Sequence, residues 1–252
     1  MAARKSDQQL DREKEQAARV AALFVPDGIH LGLGSGSTAA YFIKEVGHRV
    51  QSEGLRVIGV ATSKASQKLA EEVGITVIEP VRGLTIDLTV DGADEMDSSL
   101  NLTKGGGGAL LREKVIAAAS RYMLIIADST KPVAKLGKFP LAVEVVPFAA
   151  PLVMDRIAAI GGNPVLREEK HSPGDSVRTD QANLIIDCHF GEIANPAELS
   201  GRLHDIPGVV EHGLFINLAR AAIVADGEKV VLVQPGRPSE PAEHFRSLPN
   251  AD

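Results

Sequence analysis

Apolar residues fall at three- and four-residue steps near the start of the chain, at Ala17, Val20, Ala21 and Phe24. That stripe predicts a helix over Asp7–Phe24, which Pro26-Asp27-Gly28 ends. Short apolar runs then alternate with longer mixed segments. The runs predict strands at Ile29–Leu33, Leu55–Val60, Ile75–Ile78, Ile86–Val90 and Tyr122–Ala127. The segments between them predict helices at Ala39–Val50, Ser63–Val73 and Ala109–Ser120. Strands alternating with helices argue for an α/β fold with a doubly wound, mostly parallel sheet. Ligands of such sheets sit beyond the carboxyl ends of the strands. Three polar loops, Ser35–Thr38, Asp91–Asp94 and Asp128–Lys131, directly follow strands, so the pattern gathers them on one sheet edge.

From Phe139 onward the order of elements becomes mixed. Leu141–Val146, Val165–Glu168 and Leu184–Cys188 are strand-like, and Pro151–Ile160 and Pro196–Leu203 are helical. Val209-Val210 begins a further strand. This predicts a smaller α+β, ferredoxin-like domain over 133–206. The main catalytic domain then comprises 1–132 and 207–234, and a loose tail of four prolines covers 235–252.

Composition narrows the class. The chain has 252 residues, 44% of them hydrophobic, which supports a sizeable core. Its net charge of -6 and its 4% of aromatics disfavour nucleic acid as a partner, because such binders need basic patches and stacking rings. Arg4-Lys5 and Arg12 with Lys14 are interleaved with acids, as on a solvated helix face. Cys188, the single cysteine, lies in a strand-like run and reads as a buried thiol. The N-terminus has no apolar signal region and no run is long enough to span a membrane, so a cytoplasmic location is expected. None of the seven histidines is paired at metal-ligand spacing.

Four motifs carry candidate chemistry. Gly32–Thr38 joins a strand to a helix, where backbone N–H groups and the hydroxyls of Ser35, Ser37 and Thr38 can hold an anion. Its glycine spacing fits neither the dinucleotide nor the Walker pattern, which argues against NAD and ATP. Asp91-Gly92-Ala93-Asp94-Glu95 puts two carboxylates at a strand end, suited to substrate hydroxyls and equally to Mg²⁺. Lys104 opens the run Gly105–Gly108, which costs roughly 0.5–1 kcal/mol per glycine to order and so suits close approach of backbone to a ligand. Glu113 is expected on the second turn of the following helix, pointing back to that loop. Partly shielded, its carboxylate would have a raised pKa and serve as a general base; on a wet surface it would simply pair with Lys104 or Lys114. Ala127–Lys131 ends a strand, with Lys131 ahead of Lys135 and Lys138 as the nearest cation.

Taken together and in order, these stretches resemble the A-type ribose-5-phosphate isomerase family. GLGSGSTA at Gly32–Ala39, DGADE at Asp91–Glu95, KGGGGALLREK at Lys104–Lys114 and ADSTK at Ala127–Lys131 carry the likeness. Leu136–Val145 and Ile206–Phe215 extend it over most of the chain. The resemblance implies an aldose-ketose isomerase of the non-oxidative pentose phosphate pathway, interconverting D-ribose 5-phosphate and D-ribulose 5-phosphate without metal or other cofactor. It implies Glu113 as the proton-shuttling base, aided by Asp91, Lys104 and Asp94. Substrate contacts are implied at Ser35, Gly36, Ser37 and Thr38, at Asp91, Gly92, Ala93 and Asp94, at Lys104, Gly105, Gly106 and Gly107, and at Lys131. A homo-oligomer, dimer or tetramer, is implied as well. The chain departs from the family pattern at Asp180–Asn183 and at Asn217-Leu218, both expected away from the chemistry. Rival readings are an amino-sugar-phosphate deaminase, a CoA transferase and a sugar-phosphate sensor. The Lys104–Lys114 block argues against the two enzymes, and the single helix before the first strand argues against a sensor with a DNA-binding module.

Overall fold

The computed structural model describes residues 5–169, 172–245 and 247–248. Ser6 opens α1 (Asp7–Leu23) through a capping box with Gln9. Then come β1 (Ile29–Leu33), α2 (Ser37–Glu53), β2 (Val57–Ala61), α3 (Lys64–Glu72), β3 (Thr76–Val77) and β4 (Ile86–Asp91). The short strands β5 (Glu95–Met96) and β6 (Leu102–Thr103) lead to α4 (Leu110–Ala118) and β7 (Ser120–Asp128). The second half runs β8 (Leu141–Val145), α5 (Ala150–Ala159), β9 (Pro164–Leu166), β10 (Glu168–Glu169), β11 (Ser172–Ser176) and β12 (Leu184–Cys188). It continues with α6 (Pro196–His204), β13 (Val209–His212), β14 (Leu214–Phe215), β15 (Ala221–Asp226), β16 (Lys229–Val233) and β17 (Glu240–Pro241).

The main sheet has the order β17-β16-β15-β7-β4-β1-β2-β3. Strands β3 to β15 in that order pair in parallel, and β16 and β17 close one edge antiparallel. The chain moves outward from β1 to β3 on one side and resumes with β4 on the other. The switch point of the sheet therefore lies between β1 and β4, where a crevice opens beyond the strand ends. Leu31, Leu33, Val90, Leu124 and Ile126 pack with Ala17, Ala21, Phe42 and Val46 of α1 and α2 on one face. Met123, Ile125 and Val224 pack with Leu102, Ala117 and Phe215 on the other.

The small sheet has the antiparallel order β13-β8-β12-β9, with α5 and α6 as crossovers. That is the βαββαβ arrangement of a ferredoxin-like unit. Its core comprises Val143, Val145, Val153, Ile157, Ile186 and Leu203. The boundary expected at 206 falls too early, since β13 pairs with β8 and completes this sheet. A two-residue apolar signal was too short to show which sheet Val209 would join.

Two further expectations change. The tail is not loose as far as it is described: β17 pairs with β16, Ala242 is buried, and Phe245 and Leu248 pack on the main core. Prolines are compatible with this edge position because no further strand needs their missing N–H. Residues 246 and 249–252 lie outside the described part. The charged face of α1 is not all solvated either. Glu13 is buried, bonded to Lys5, to the N–H and hydroxyl of Ser129, and to Gly227 N–H at 2.9 Å. Burial works against that charge, but these donors win and hold the Glu13 carboxyl at about 2.

Gly213 ties the small sheet to a three-stranded sheet of the order β14-β6-β5. Its N–H donates to Ala142 of the small sheet at 2.8 Å, and its carbonyl accepts from Lys104 N–H at 2.8 Å. A Cβ there would lie 2.1 Å from the Lys104 carbonyl oxygen, so only glycine permits the approach. We expect Gly213→Ala to lower stability by about 1–3 kcal/mol through overpacking, read as a fall in the thermal unfolding midpoint.

Candidate active site

The crevice at the switch point is a cavity of about 490 Å³. Ser35–Thr38, Gly92–Asp94 and Lys131 line it from the ends of β1, β4 and β7. Lys104–Ala109 and Glu113 line a second wall, and Val177–Asp180 of the small subdomain a third. The three strand-end loops converge as expected, but Asp91, expected to touch substrate, lies fully buried behind the lining, and of Asp128–Lys131 only Lys131 reaches the cavity.

Each wall is built by a local device. The β5–β6 pair sets Glu95 opposite Thr103, so Asp94 and Lys104, one residue further out on each strand, emerge side by side. Asp94 N–H donates to Thr103 carbonyl at 2.8 Å, and Asp94 Oδ2 in turn accepts from Gly106 N–H at 2.8 Å. Asp91 ends β4 and is fully buried. Its Oδ1 accepts from the backbone N–H of Ser35 at 3.0 Å and of Gly92 at 2.7 Å. Gly34 makes that possible, because a Cβ there would meet Asp91 Oδ1 at 2.3 Å.

Lys104 stands at the centre. Its ammonium donates to the Gly92 carbonyl at 2.7 Å and lies 3.1 Å from Asp91 Oδ2 and 3.4 Å from Glu113 Oε2. Burial disfavours the charged amine, but Asp91, Glu113 and Asp94 outweigh it and raise its pKa to about 12. Asp91 Oδ2 and Glu113 Oε2 are buried and have no aligned hydrogen-bond donor. One cation thus faces two carboxylates. Burial pushes both carboxyls upward, against the pull of Lys104. Asp91 has two N–H donors to support its charge, whereas Glu113 has only Lys104, and Glu113 rises to about 8.

Glu113 sits in the first turn of α4 rather than the second, because the helix begins at Leu110. Leu110 packs on Ala142 and Ile185 of the small sheet, which anchors this turn. The wet-surface alternative for Glu113 is excluded by its 5% exposure. Lys114, next in sequence, turns away to Glu211 at 2.5 Å and the His212 carbonyl at 2.6 Å.

Other candidates divide. Ser37 and Thr38 lie inside the first turn of α2, two residues earlier than the helix was expected to start. No side chain caps that turn, so its N–H groups remain available to an anion. The Ser35 hydroxyl, also on the cavity wall, bonds Thr62 Oγ1 at 2.7 Å and lies 3.3 Å from Ser66 Oγ, which fixes the turn. Glu95 is buried away from the cavity, where it accepts from the N–H groups of Gly137 and Phe139. Lys135 pairs with Glu192 at 2.9 Å, and Lys131 alone of the three loop lysines lines the cavity. Cys188 is buried, and burial pushes its thiol up to about 12. Among the described residues, His204, Glu211 and His212 could group around an ion, outside the cavity, but Lys114 already occupies the space beside Glu211 and His212.

Sequence reasoning missed Lys14 and the segment Val177–Asp180, both on the cavity wall. Lys14 was hidden in the charged pattern of α1. The departure at Asp180–Asn183, expected away from the chemistry, lies at the cavity rim: Asp180 lines it and accepts from Lys64 N–H at 2.8 Å. Buried Glu144 holds this turn through Thr179 and Asn183, each at 2.9 Å. Ala182 takes φ +61 there, a conformation that favours glycine.

Glu113 supplies a thermodynamic prediction. Its folded pKa of about 8 lies above the ordinary 4.5. Its ionisation therefore costs no stability in acid, and an increasing amount as pH rises from about 4.5 to about 8. Glu113→Gln should raise the unfolding midpoint above that of the wild type at pH 8–9, and the difference should vanish toward pH 4, as measured by thermal melts across that range.

Comparison with known proteins identifies the family. The family model Ribose 5-phosphate isomerase A (phosphoriboisomerase A) matches residues 58–229. A Nitrobacter hamburgensis protein named ribose-5-phosphate isomerase A is 49% identical over 233 residues, covering 89% of this chain and 98% of its own length. One from Jannaschia is 46% identical over 234 residues, covering 89% and 87%. Among solved structures, ribose 5-phosphate isomerase A of Methanocaldococcus jannaschii superposes with a TM-score of 0.84 at 36% identity, over 89% of this chain and 99% of its own. A D-ribose-5-phosphate isomerase in complex with phospho-erythronic acid superposes at 0.86, also at 36% identity and over 89% and 99%. With nearly full-length relatives at this identity and the family model spanning most of the sequence, the chain belongs to the ribose 5-phosphate isomerase A family.

Proposed function

We propose that the chain interconverts D-ribose 5-phosphate and D-ribulose 5-phosphate through an enediolate, with Glu113 as the single base. The family is one of aldose-ketose isomerases, and the chain is an enzyme of that class. The observation that carries the assignment of roles is Glu113 Oε2: buried, without a hydrogen-bond donor, on the cavity wall, and 3.4 Å from the Lys104 ammonium.

The chemistry follows from that geometry. A C–H beside a carbonyl is too weak an acid for an exposed carboxylate. Desolvation makes Glu113 more basic, and a positioned base contributes about 10²–10⁴ in rate. Glu113 takes the C2 proton of the open-chain aldose, and the electron pair moves onto the C1 carbonyl oxygen. Lys104 and N–H groups of the glycine run stabilise that oxyanion, at roughly 3–4 kcal/mol per well-placed donor. Glu113 returns the proton to C1 while the O2 proton passes to O1, so that O2 becomes the ketose carbonyl and O1 the C1 hydroxyl. One carboxylate serves both carbons because they share a face. Asp91 handles hydroxyl protons during ring opening, and Asp94 orients the loop through Gly106. The phosphate is placed at the uncapped first turn of α2, with Ser37 and Thr38, and beside Lys131. Gly36, Gly92, Ala93, Gly105 and Gly107 present backbone to the sugar. A cation between Asp91 and Glu113 is already supplied by Lys104, so the roles assigned here call for no metal.

Two finer statements belong to the same reading. The location is cytoplasmic, consistent with a sugar-phosphate substrate and a lone buried thiol. Among the described residues no helix is long and apolar enough to cross a membrane. The chain self-associates, as dimer or tetramer, through the exposed apolar strip of Val146, Phe148 and Leu152 on the small subdomain. Phe148 and Leu152 stand four residues apart and face solvent together, Phe148 at 91% exposure.

Glu113→Gln should cut kcat for ribose 5-phosphate by about a hundredfold or more with little change in KM. The wild-type kcat/KM should rise tenfold per pH unit up to about 8 and then level, as the buried base ionises. Near-normal turnover by the Gln variant would remove Glu113 from this role. Phe148→Glu should shift the protein to a smaller species by light scattering; an unchanged mass would place the interface elsewhere.

A further inference from the structure

The small subdomain contributes one side chain that points at the glycine run from behind. Arg167 lies between β9 and β10 and does not line the cavity. Its Nη1 donates to the Gly105 carbonyl at 2.8 Å and to the Gly106 carbonyl at 3.2 Å. Its Nε donates to Asp187 Oδ2 at 2.8 Å and Nη2 to Asp187 Oδ1 at 2.5 Å. The two-point pairing with Asp187 of β12 fixes the plane of the guanidinium.

The consequence runs through the peptide planes. In a trans peptide the C=O and the following N–H point in opposite directions. A donor holding the Gly105 and Gly106 carbonyls therefore turns the N–H groups of Gly106 and Gly107 the other way. The Gly106 N–H lands on Asp94. The Gly107 N–H has no protein acceptor among the described residues, and Gly107 is exposed on the cavity wall. A Cβ added at Gly107 would meet nothing within 4 Å, so this orientation is not imposed by packing around that residue. A cation on the carbonyl side also polarises the peptide, which strengthens its N–H as a donor.

We infer that Arg167 is a positioning residue of the isomerase reaction: it aims the Gly107 N–H at the enediolate oxygen and links the small subdomain to the oxyanion site. The inference rests on the catalytic reading above and extends it to a residue outside the cavity. An interaction made to the developing oxyanion acts on the transition state more than on bound substrate, so its loss lowers kcat and spares KM.

The test uses the full chain with Arg167→Met and Arg167→Lys. Arg167→Met should lower kcat for ribose 5-phosphate ten- to hundredfold with KM within about twofold, and added methylguanidinium should restore part of it. Arg167→Lys keeps the charge opposite Asp187 but lacks the planar fork, so it should fold and still lose at least tenfold in kcat. It decides the question if Arg167→Met does not accumulate as folded protein. Affinity for phospho-erythronic acid, whose carboxylate stands in for the enediolate, should fall in parallel, while affinity for inorganic phosphate stays within twofold. Unchanged kcat in folded Arg167→Lys, or equal losses for both ligands, would overturn the inference. A wild-type chain without isomerase activity would overturn the catalytic reading instead, so the two failures are distinguishable.

Discussion

One ammonium has to serve two carboxylates that are almost wholly shielded from water. Lys104, Asp91 and Glu113 are all buried, and the lysine lies within 3.4 Å of both acids. Removing charges from water costs several kcal/mol per ion, and attraction repays it only where the geometry is good. Here it is good for Asp91, which also accepts two backbone N–H bonds, and poor for Glu113, which has no such support. Both acids feel the shortfall, and Glu113, the one on the cavity wall, is raised to about 8. The raised basicity on which the proposed role of Glu113 depends is thus a cost to the fold.

Much of the surrounding structure holds that imbalance in place. β4 delivers Asp91, the β5–β6 pair sets Lys104 beside Asp94, and α4 presents Glu113 from its first turn. Gly34 and Gly213 let backbone and side chain approach at distances no Cβ would permit. The positive end of the site is separate. It consists of the uncapped first turn of α2, with Lys131 and Lys14 on the same wall. A sugar phosphate is polar in the same sense, with its anion at one end and its reacting carbonyl at the other.

The ferredoxin-like subdomain takes part in the site as well as covering it. It supplies Val177–Asp180 to the rim, buried Glu144 beneath that turn, and Arg167 behind the glycine run. Leu110 of α4 packs on Ala142 and Ile185 of the small sheet, so the element carrying Glu113 rests on both subdomains. A change in the small subdomain therefore reaches the chemistry through hydrogen bonds and packing rather than through substrate contact.

The order of elements and the position of the crevice were legible in the chain, because alternating apolar runs and strand-end polar loops are local signals. The four motifs named the two buried acids, the lysine and the glycine run that the structure brings together, for the same reason. What could not be read locally was anything decided by a partner distant in sequence. Glu13 looked solvated until Ser129 and Gly227 closed over it, and nothing near Ser35 in sequence named Thr62 and Ser66 as partners of its hydroxyl. Val209–His212 gave no sign of which sheet it would join, and Arg167 gave no sign of a role. Sequence by itself determined which groups were available to react. Only the tertiary structure decided which of them would be left buried without enough donors, since desolvation and hydrogen-bond satisfaction depend on neighbours that the local pattern does not name.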